Sequence, residues 1–400
     1  MILIISGVFP PEPVVSASIS FDLGAELSKR FKVLVITPKP TRPYGFKYFE
    51  GQNPVYEFEH IKLNSFTYPK SNLTGRILES YSFGKRAARF IKVQKEQIGC
   101  IYINAWPLLA QYLIIKAAKK YSIPAVLHIQ DIYPESLLDK LPFLKTFFLK
   151  ILLPLDKYTL ENSTEIIAIS SKMRSYLLES RKISENGIKV VYNWQDEKRF
   201  LDFVNEKDKT SKDYIFTFMF LGSLNRTAAI DNIIYAFHKS NLDNCRLVIA
   251  GSGSEKKKLM SLVNRISNSR IEFWDAPFDK VPEIQNEADV MILNLRRRSS
   301  HYSLPSKFPA YLFSSKPVIA CVDDNSDVAE AMIEAGCGWI VEPENINELS
   351  DQFRNIAEIP HSVLTQLGSK GKEYALKNYS KETNLKRLVD VVLSYCNLNN

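Results

Sequence analysis

The sequence predicts an α/β protein made of two doubly wound, parallel-sheet domains in series. Three observations carry this. The length of 400 residues exceeds what one ordinary core organises and fits two domains of roughly 150 to 200 residues each. Short β-rich apolar runs alternate with helical patterns, the signature of parallel strands joined by crossover helices. That alternation dissolves once, over 193–211, into charged residues (Gln195-Asp-Glu-Lys-Arg199, then Asn205-Glu-Lys-Asp-Lys-Thr-Ser211), and then restarts, as it would across a linker.

Taken in order, the runs at 2–9, 33–37, 100–103, 125–129, 165–169 and 189–192 are buried strands, with helices over 18–30, 108–120 and 172–180 among them. The opening Met1-Ile-Leu-Ile-Ile-Ser-Gly7 lacks the positive stretch of a signal peptide and runs into prolines after nine residues, so it is a strand. Residues 38–75, rich in Pro, Tyr and Phe, form an irregular excursion holding one or two strands. The second half repeats the pattern with strands at 216–221, 246–250, 270–274, 290–293, 317–322 and 339–341. The expected domains are 1–195 and 196–379, and the final helix, 383–395, follows a second domain already complete and packs back on the first. There is no tandem repeat.

A formal net charge of +8 favours anionic partners. Nucleic acid is set aside, because no basic stretch combines with a recognised binding motif. Five cysteines, Cys100, Cys245, Cys321, Cys337 and Cys396, are odd in number and never at metal-site spacing, which predicts reduced thiols and a cytoplasmic protein. No stretch approaches the ~20 apolar residues of a membrane span, so contact with a membrane would be peripheral. Two segments suit an anionic lipid surface: Phe143-Leu-Lys-Thr-Phe-Phe-Leu-Lys-Ile-Leu-Leu153, and the helix carrying Arg76, Lys85, Arg86, Arg89, Lys92 and Lys95. A buried helix and a solvated basic face explain the same residues.

Doubly wound sheets bind ligands beyond the carboxyl ends of their strands, so the loops there are the candidate site. After the first strand, Gly7-Val-Phe-Pro-Pro-Glu-Pro-Val-Val-Ser-Ala-Ser18 combines fixed prolines with small residues whose backbone N–H groups face an anion, or simply cap a helix. In the second half, Phe220-Leu-Gly-Ser-Leu-Asn-Arg226 and Ile249-Ala-Gly-Ser-Gly-Ser-Glu255 are strand-to-helix turns suited to close backbone approach by phosphate or base. Gly251-Ser-Gly253 lacks the third glycine and the distant acid of a dinucleotide fingerprint, which disfavours a nicotinamide dehydrogenase. The segment from Ser303 to Ala320 is loop, helix, turn and strand. Pro305 and Ser306 start its helix, whose N–H groups favour a diphosphate, and Lys307 adds a full charge; a plain cap at Ser306 and a solvated surface lysine explain the same residues.

The ordered set of Phe9-Pro-Pro-Glu-Pro13, Ile129-Gln-Asp-Ile-Tyr-Pro-Glu-Ser136, Ile167-Ala-Ile-Ser-Ser171, Val191-Tyr-Asn193, Phe220-Leu-Gly222, Ala288-Asp-Val290, Leu304-Pro-Ser-Lys307 and Lys316-Pro-Val318 resembles the retaining glycosyltransferases of family 4, end to end. The closest likeness is to the branch that builds bacterial O-antigens and capsules. The resemblance implies the GT-B fold, two Rossmann-like domains facing across a cleft, and transfer from a nucleotide-sugar, UDP-linked, to a polyprenyl-diphosphate-linked or saccharide acceptor. It departs at three places. Ser223 and Ala228 stand where the family has Arg and Lys, Tyr302 and Ala310 where it has paired glutamates, and Val15 and Ser16 where it has two glycines.

On this reading the donor is held by Gly222, Ser223, Arg226, Gly251, Gly253, Pro305, Ser306 and Lys307, and the acceptor by Pro11, Val15, Ser16, Asp131, Tyr133 and Glu135. Lys307 with the helix start stabilises the leaving diphosphate, while Asp131 and Glu135 orient or partly deprotonate the acceptor hydroxyl. His128, inside a strand, is a rival base or a structural residue. No Asp-x-Asp motif occurs, so neither metal nor cofactor is expected. A hydrolysing nucleotide-sugar 2-epimerase and a non-catalytic sugar-nucleotide-binding subunit are the alternatives. The first would want more acids and histidines than His60, His128, His238, His301 and His361 supply.

Overall fold

The computed structural model describes residues 1–12, 14–41, 56–68, 73–104, 108–135, 145–184, 187–201, 203, 214–297 and 304–396. Met1–Asn193 with the segment from Glu382 form one compact unit, and Trp194–Lys381 the other. Each is built on an all-parallel sheet, as the alternating pattern predicts.

The first sheet comprises β1 (Ile2–Ser6), β2 (Val33–Thr37), β3 (Glu59–Lys62), β4 (Cys100–Asn104), β5 (Ala125–Ile129), β6 (Glu165–Ala168) and β7 (Ile188–Val190), in the order β3-β2-β1-β4-β5-β6-β7. The strands β1, β2, β4 and β5 are buried throughout, which is why they are continuous apolar runs rather than alternating ones. The partly exposed edge strand β3 lies inside the excursion and lacks that signature. β1 ends at Ser6, three residues before the sequence suggests. Ser6 Oγ donates to Val8 O at 2.6 Å, and the prolines that follow have no N–H for a ladder.

One face of this sheet is apolar. Leu3, Ile5, Ile101, Ile103 and Leu127 pack with Phe83, Ile91 and Ile114 of the helices Leu73–Gln94 and Leu108–Lys120. The other face, toward α1 (Val15–Ser28), carries a buried polar column. Asn104 Nδ2 donates to Ser16 O at 3.0 Å and to Ser20 Oγ at 2.7 Å, and Tyr102 OH meets His128 Nδ1 at 2.7 Å. Because β1 pairs with both β2 and β4, the strand order reverses at β1, and a crevice opens at its carboxyl end.

The second sheet runs β10-β9-β8-β11-β12-β13, from β8 (Phe216–Leu221), β9 (Cys245–Ala250), β10 (Ile271–Trp274), β11 (Val290–Asn294), β12 (Val318–Cys321) and β13 (Gly338–Val341). Its reversal falls at β8, between β9 and β11. Phe218 packs edge-on against Phe353, ring centroids 4.7 Å apart, which ties β8 to the helix Ile346–Ala357. Residues 194–201, read from sequence as linker, are packed into this unit. Glu197 is buried and accepts Lys381 N at 2.9 Å, and Phe200 lies 6.2 Å from Phe313. The rest of that linker, residues 193 and 203 apart, lies outside the described residues.

The last helix, Lys381–Ser394, ends against the first sheet: Tyr395 OH donates to Glu165 Oε2 at 2.6 Å. Cys396 is bonded to Cys100 across 296 positions of sequence. The reading of all five cysteines as unpaired thiols is thereby corrected. Sequence spacing could not reveal a partnership that exists only because the C-terminal helix returns to the start of β4. Cys245, Cys321 and Cys337 are free and buried.

Candidate active site

The loop after β8 and the loop after β9 are zipped together by Leu224 N to Ser252 O (2.8 Å) and Glu255 N to Leu224 O (3.0 Å). A Cβ on Gly251 would lie 2.1 Å from Gly222 O, and one on Gly253 would lie 2.3 Å from Leu224 O, both at positive φ. These two glycines therefore serve loop-to-loop packing, a tighter requirement than the phosphate approach that the sequence suggested. Gly222 answers to something else: a Cβ there would meet Lys307 Nζ at 3.0 Å.

Lys307 opens the helix α10, Lys307–Phe313, numbering helices along the chain. Tyr311 on the next turn fixes it, its hydroxyl donating to Leu221 O at 2.6 Å and accepting from Leu221 N at 3.2 Å. The Lys307 ammonium is thus held over the end of β8, 4.4 Å from the Phe220 ring centroid. Burial lowers its pKa from 10.5 to about 8, and no acidic side chain pairs with it among the described residues. Ser306 is exposed and makes no capping bond, and its carbonyl accepts from the Gln195 amide. With seven residues the helix has a modest dipole, so the full charge of Lys307 dominates. Ser223 is exposed beside it, in reach of Asn225 Nδ2 at 3.4 Å. Ala310, at the family's glutamate position, is buried, and Tyr302 lies outside the described residues.

Arg226, also expected in the donor set, is exposed at the start of the 3₁₀ turn Arg226–Ala228. It lines a cavity of about 380 Å³ with Tyr235, Lys258, Leu262 and Arg265, on the helices Ile230–Ser240 and Lys256–Ile266, and with Arg296 beyond β11. Neither Gly222 nor Lys307 lines that cavity.

In the first unit, Pro11 is exposed, and Val15 and Ser16 open α1 half-buried. Glu12, passed over in the sequence, organises this loop. Its carboxyl is buried and accepts Phe9 N at 3.1 Å and Thr41 N at 2.8 Å. Burial pushes it up to about 7 against those two bonds, with Glu79 raising it further and Arg76 opposing. Arg76 in turn pairs with the buried Glu79 at 3.1 Å. Its side chain is only half-buried, so one of the basic residues that the sequence placed on a surface helix is turned toward an acid.

Asp131 stands exposed two residues beyond β5, and Tyr133, half-buried, has its hydroxyl pKa raised by burial and then by Asp131. Glu135 is committed elsewhere. Its Oε1 accepts Tyr176 OH at 2.8 Å and its Oε2 accepts Arg181 Nη2 at 2.7 Å. Arg181 also reaches Asp156 at 2.7 Å and Tyr133 O at 3.0 Å. Both oxygens of Glu135, expected as a base or acceptor ligand, are engaged in holding the turn that carries Asp131. His128 is fully buried against Tyr102, and burial lowers its pKa to about 3, a neutral interior imidazole.

Residues 18–199 match the family described as Glycosyltransferase Family 4, and residues 215–358 match Glycosyl transferases group 1. No curated protein matches the sequence. Among solved structures, the chain is similar to HepE of Anabaena in complex with UDP: TM-score 0.73, 16% identity, covering 98% of this chain and 99% of that one. It is similar to sucrose-phosphate synthase of Thermosynechococcus elongatus, with TM-score 0.74, 15% identity and 98% coverage of both chains. WaaG, a glycosyltransferase involved in lipopolysaccharide biosynthesis, aligns with TM-score 0.69 and 13% identity over 98% of this chain and 99% of that one. The two family matches in tandem, on two parallel Rossmann-like sheets, identify the chain as a GT-B glycosyltransferase carrying a family 4 domain followed by a group 1 domain.

Proposed function

We propose that the chain transfers a hexosyl or N-acetylhexosaminyl group from a UDP-sugar onto a polyprenyl-diphosphate-linked or saccharide acceptor, retaining configuration and using neither metal nor cofactor. The observation that carries this reading is Lys307: a half-buried ammonium with no acidic partner among the described residues, clamped over Gly222 at the strand-order reversal of the second sheet. A pre-placed, unmatched cation suits a leaving diphosphate. HepE was solved with UDP and with UDP-glucose, which supports uridine as the nucleotide, and WaaG's part in lipopolysaccharide synthesis supports a surface-polysaccharide product of O-antigen or capsule type.

In the proposed reaction the acceptor hydroxyl oxygen attacks the anomeric carbon on the face the diphosphate leaves. The bond from that carbon to phosphate oxygen breaks, its electron pair stays on the phosphate, and the acceptor proton passes to that same oxygen. Lys307 stabilises the growing negative charge, the backbone at Gly222, Ser223 and Ser306 borders the diphosphate, and Asp131 orients the acceptor hydroxyl. Among the described residues no helix is long and apolar enough to cross a membrane. We place the enzyme at the inner face of the plasma membrane, held peripherally through basic side chains.

The deciding experiment incubates purified protein with radiolabelled UDP-sugars and bacterial lipid extract. Label moving into lipid or oligosaccharide with the anomeric configuration kept supports the reading. Release of free epimerised sugar would favour the 2-epimerase alternative, and no turnover would favour a binding subunit.

A further inference from the structure

The cavity that Arg226 lines takes no part in the proposed reaction, and its charges do not balance. Arg296 is matched twice, by Asp231 at 3.3 Å and by Glu344 at 2.9 Å, and Lys258 lies 3.5 Å from Glu255. That pairing uses up both acids of the lining, and Arg226 and Arg265 are left with no acidic partner among the described residues. Arg265 Nη2 instead donates to the hydroxyl of Tyr235 at 3.3 Å, and Tyr235 is 37% exposed. The same cavity has an apolar wall of Ile230, Leu259 and Leu262, which belong to the core of the second unit. An arginine on open surface needs no partner, because water solvates it. Two that share a concave, partly apolar space raise each other's energy, and an anion bound there offsets that cost.

We propose that this cavity is a second anion site of the chain, for a phosphomonoester carried on a body the size of one monosaccharide. The charges select the anion. Two guanidiniums without a counter-ion match a phosphomonoester, which carries roughly −1.5 to −2 near pH 7, and their planar forks bind phosphate oxygens in pairs. The shape selects the body. At about 380 Å³ the space is near the lower end of ligand pockets, which run from ~300 to ~1,000 Å³, so it suits one sugar ring rather than a whole nucleotide-sugar. Tyr235, Leu259 and Leu262 offer that ring an apolar surface for its C–H groups. The inference goes beyond the transfer reading and does not depend on it, because neither Gly222 nor Lys307 lines the cavity.

The test titrates the full chain with glucose 6-phosphate and with glucose 1-phosphate by calorimetry, at fixed ionic strength, with and without an excess of UDP. At least one of them is expected to bind whether or not UDP is present, while glucose does not bind. Arg265→Gln, at an exposed position, should weaken that binding about tenfold or more, with melting temperature and UDP affinity unchanged. Arg226→Gln should weaken it to a similar degree, and Lys307→Ala should leave it intact. The proposal is overturned if neither sugar phosphate binds at millimolar concentration, or if both arginine variants bind as the wild type does. It is overturned equally if excess UDP abolishes the binding, which would make the cavity part of the donor site. Vesicles bearing phosphatidate supply the last arm. Sedimentation that needs Arg265, with no binding of either sugar phosphate, would overturn the sugar body and assign the phosphomonoester to a lipid headgroup.

Discussion

The loops after β1 and after β8 hold the same topological position in two sheets of the same kind, yet they are built on opposite principles. After β1, prolines and a buried carboxyl fix the chain, and the charges around it are matched internally: Glu12 by two backbone N–H groups, Glu79 by Arg76, Glu135 and Asp156 by Arg181. After β8, glycines let two loops interlock, and the one charge brought to the edge by α10, Lys307, has no acidic partner among the described residues. Matched charges hold a shape. An unmatched one, held over a ring, is what the proposed diphosphate site requires.

That contrast is tested first at Asp131, an exposed acid two residues beyond β5. Asp131→Asn should lower transfer by roughly 10²–10⁴-fold while UDP affinity and melting temperature hold, since a positioned carboxylate acts on the acceptor proton. Near-normal turnover of the variant would remove the acceptor role. Its neighbour should behave in the opposite way. Arg181→Met strands the Glu135 and Asp156 carboxylates in the interior, which typically costs about 3–5 kcal/mol, and chemical denaturation should register it. An unchanged unfolding midpoint would mean that the Glu135–Arg181–Asp156 cluster does not hold the turn.

For Lys307 the expected loss is about 1.5–3 kcal/mol of UDP affinity on substitution by Ala, read by calorimetry. Its pH dependence sharpens the point. With the free lysine near 8 and a bound diphosphate pulling it upward, UDP affinity should stay level below pH 7 and fall as pH climbs beyond 8. Lys307→Arg should flatten that fall. The stability linkage has the other sign: between about 8 and 10.5 the unfolded chain binds the extra proton, so this residue makes the fold more stable as pH rises. An affinity with no pH dependence between 7 and 9.5 would place Lys307 away from the diphosphate.

The fold was legible because both sheets bury their central strands on two faces, which writes Ile-Leu-Ile-Ile and Phe-Met-Phe-Leu into the sequence as unbroken runs. For Lys307 the sequence showed only its place at a helix start after a strand; its position over Phe220 comes from Tyr311 and the end of β8. The acidic side was less so. Glu135 looked like Asp131 in the sequence, and only Arg181, 46 positions away, separates their roles. Glu12 was hidden among prolines, its importance coming from Thr41, 29 positions on. Arg226 looked apt for a diphosphate; the sequence did not show that Asn225 caps the 3₁₀ turn Arg226–Ala228 or that Arg226 lines a cavity with Lys258 and Arg265. The disulfide depends on tertiary return, which no local pattern encodes.

The smallest expected effect concerns the first unit's outer surface, where the matched interior gives way to unmatched charge. On the helix Leu73–Gln94, Lys85, Arg86, Arg89 and Lys92 are exposed, and so are Leu78, Tyr81 and Val93. Of the other basic residues once grouped with them, Arg76 faces inward to Glu79 and Lys95 pairs with Glu96 at 3.1 Å. Of the second segment, 143–144 lie outside the described residues, and Lys150 and Ile151 are exposed. Cations beside exposed apolar side chains fit an anionic bilayer better than water alone, at about 1 kcal/mol per cation near the surface. Vesicles rich in phosphatidylglycerol should therefore sediment the protein at low salt and neutral vesicles should not, and the difference should shrink as the Debye length falls below about 10 Å. Replacing Lys85, Arg86 and Arg89 with Gln should weaken that binding several-fold per residue, whereas Arg76→Gln should instead lower stability. Equal sedimentation with both vesicle types would make this face a solvated one, and a lipid-binding loss in Arg76→Gln matching that of the triple variant would show that its pairing with Glu79 does not withhold it from lipid.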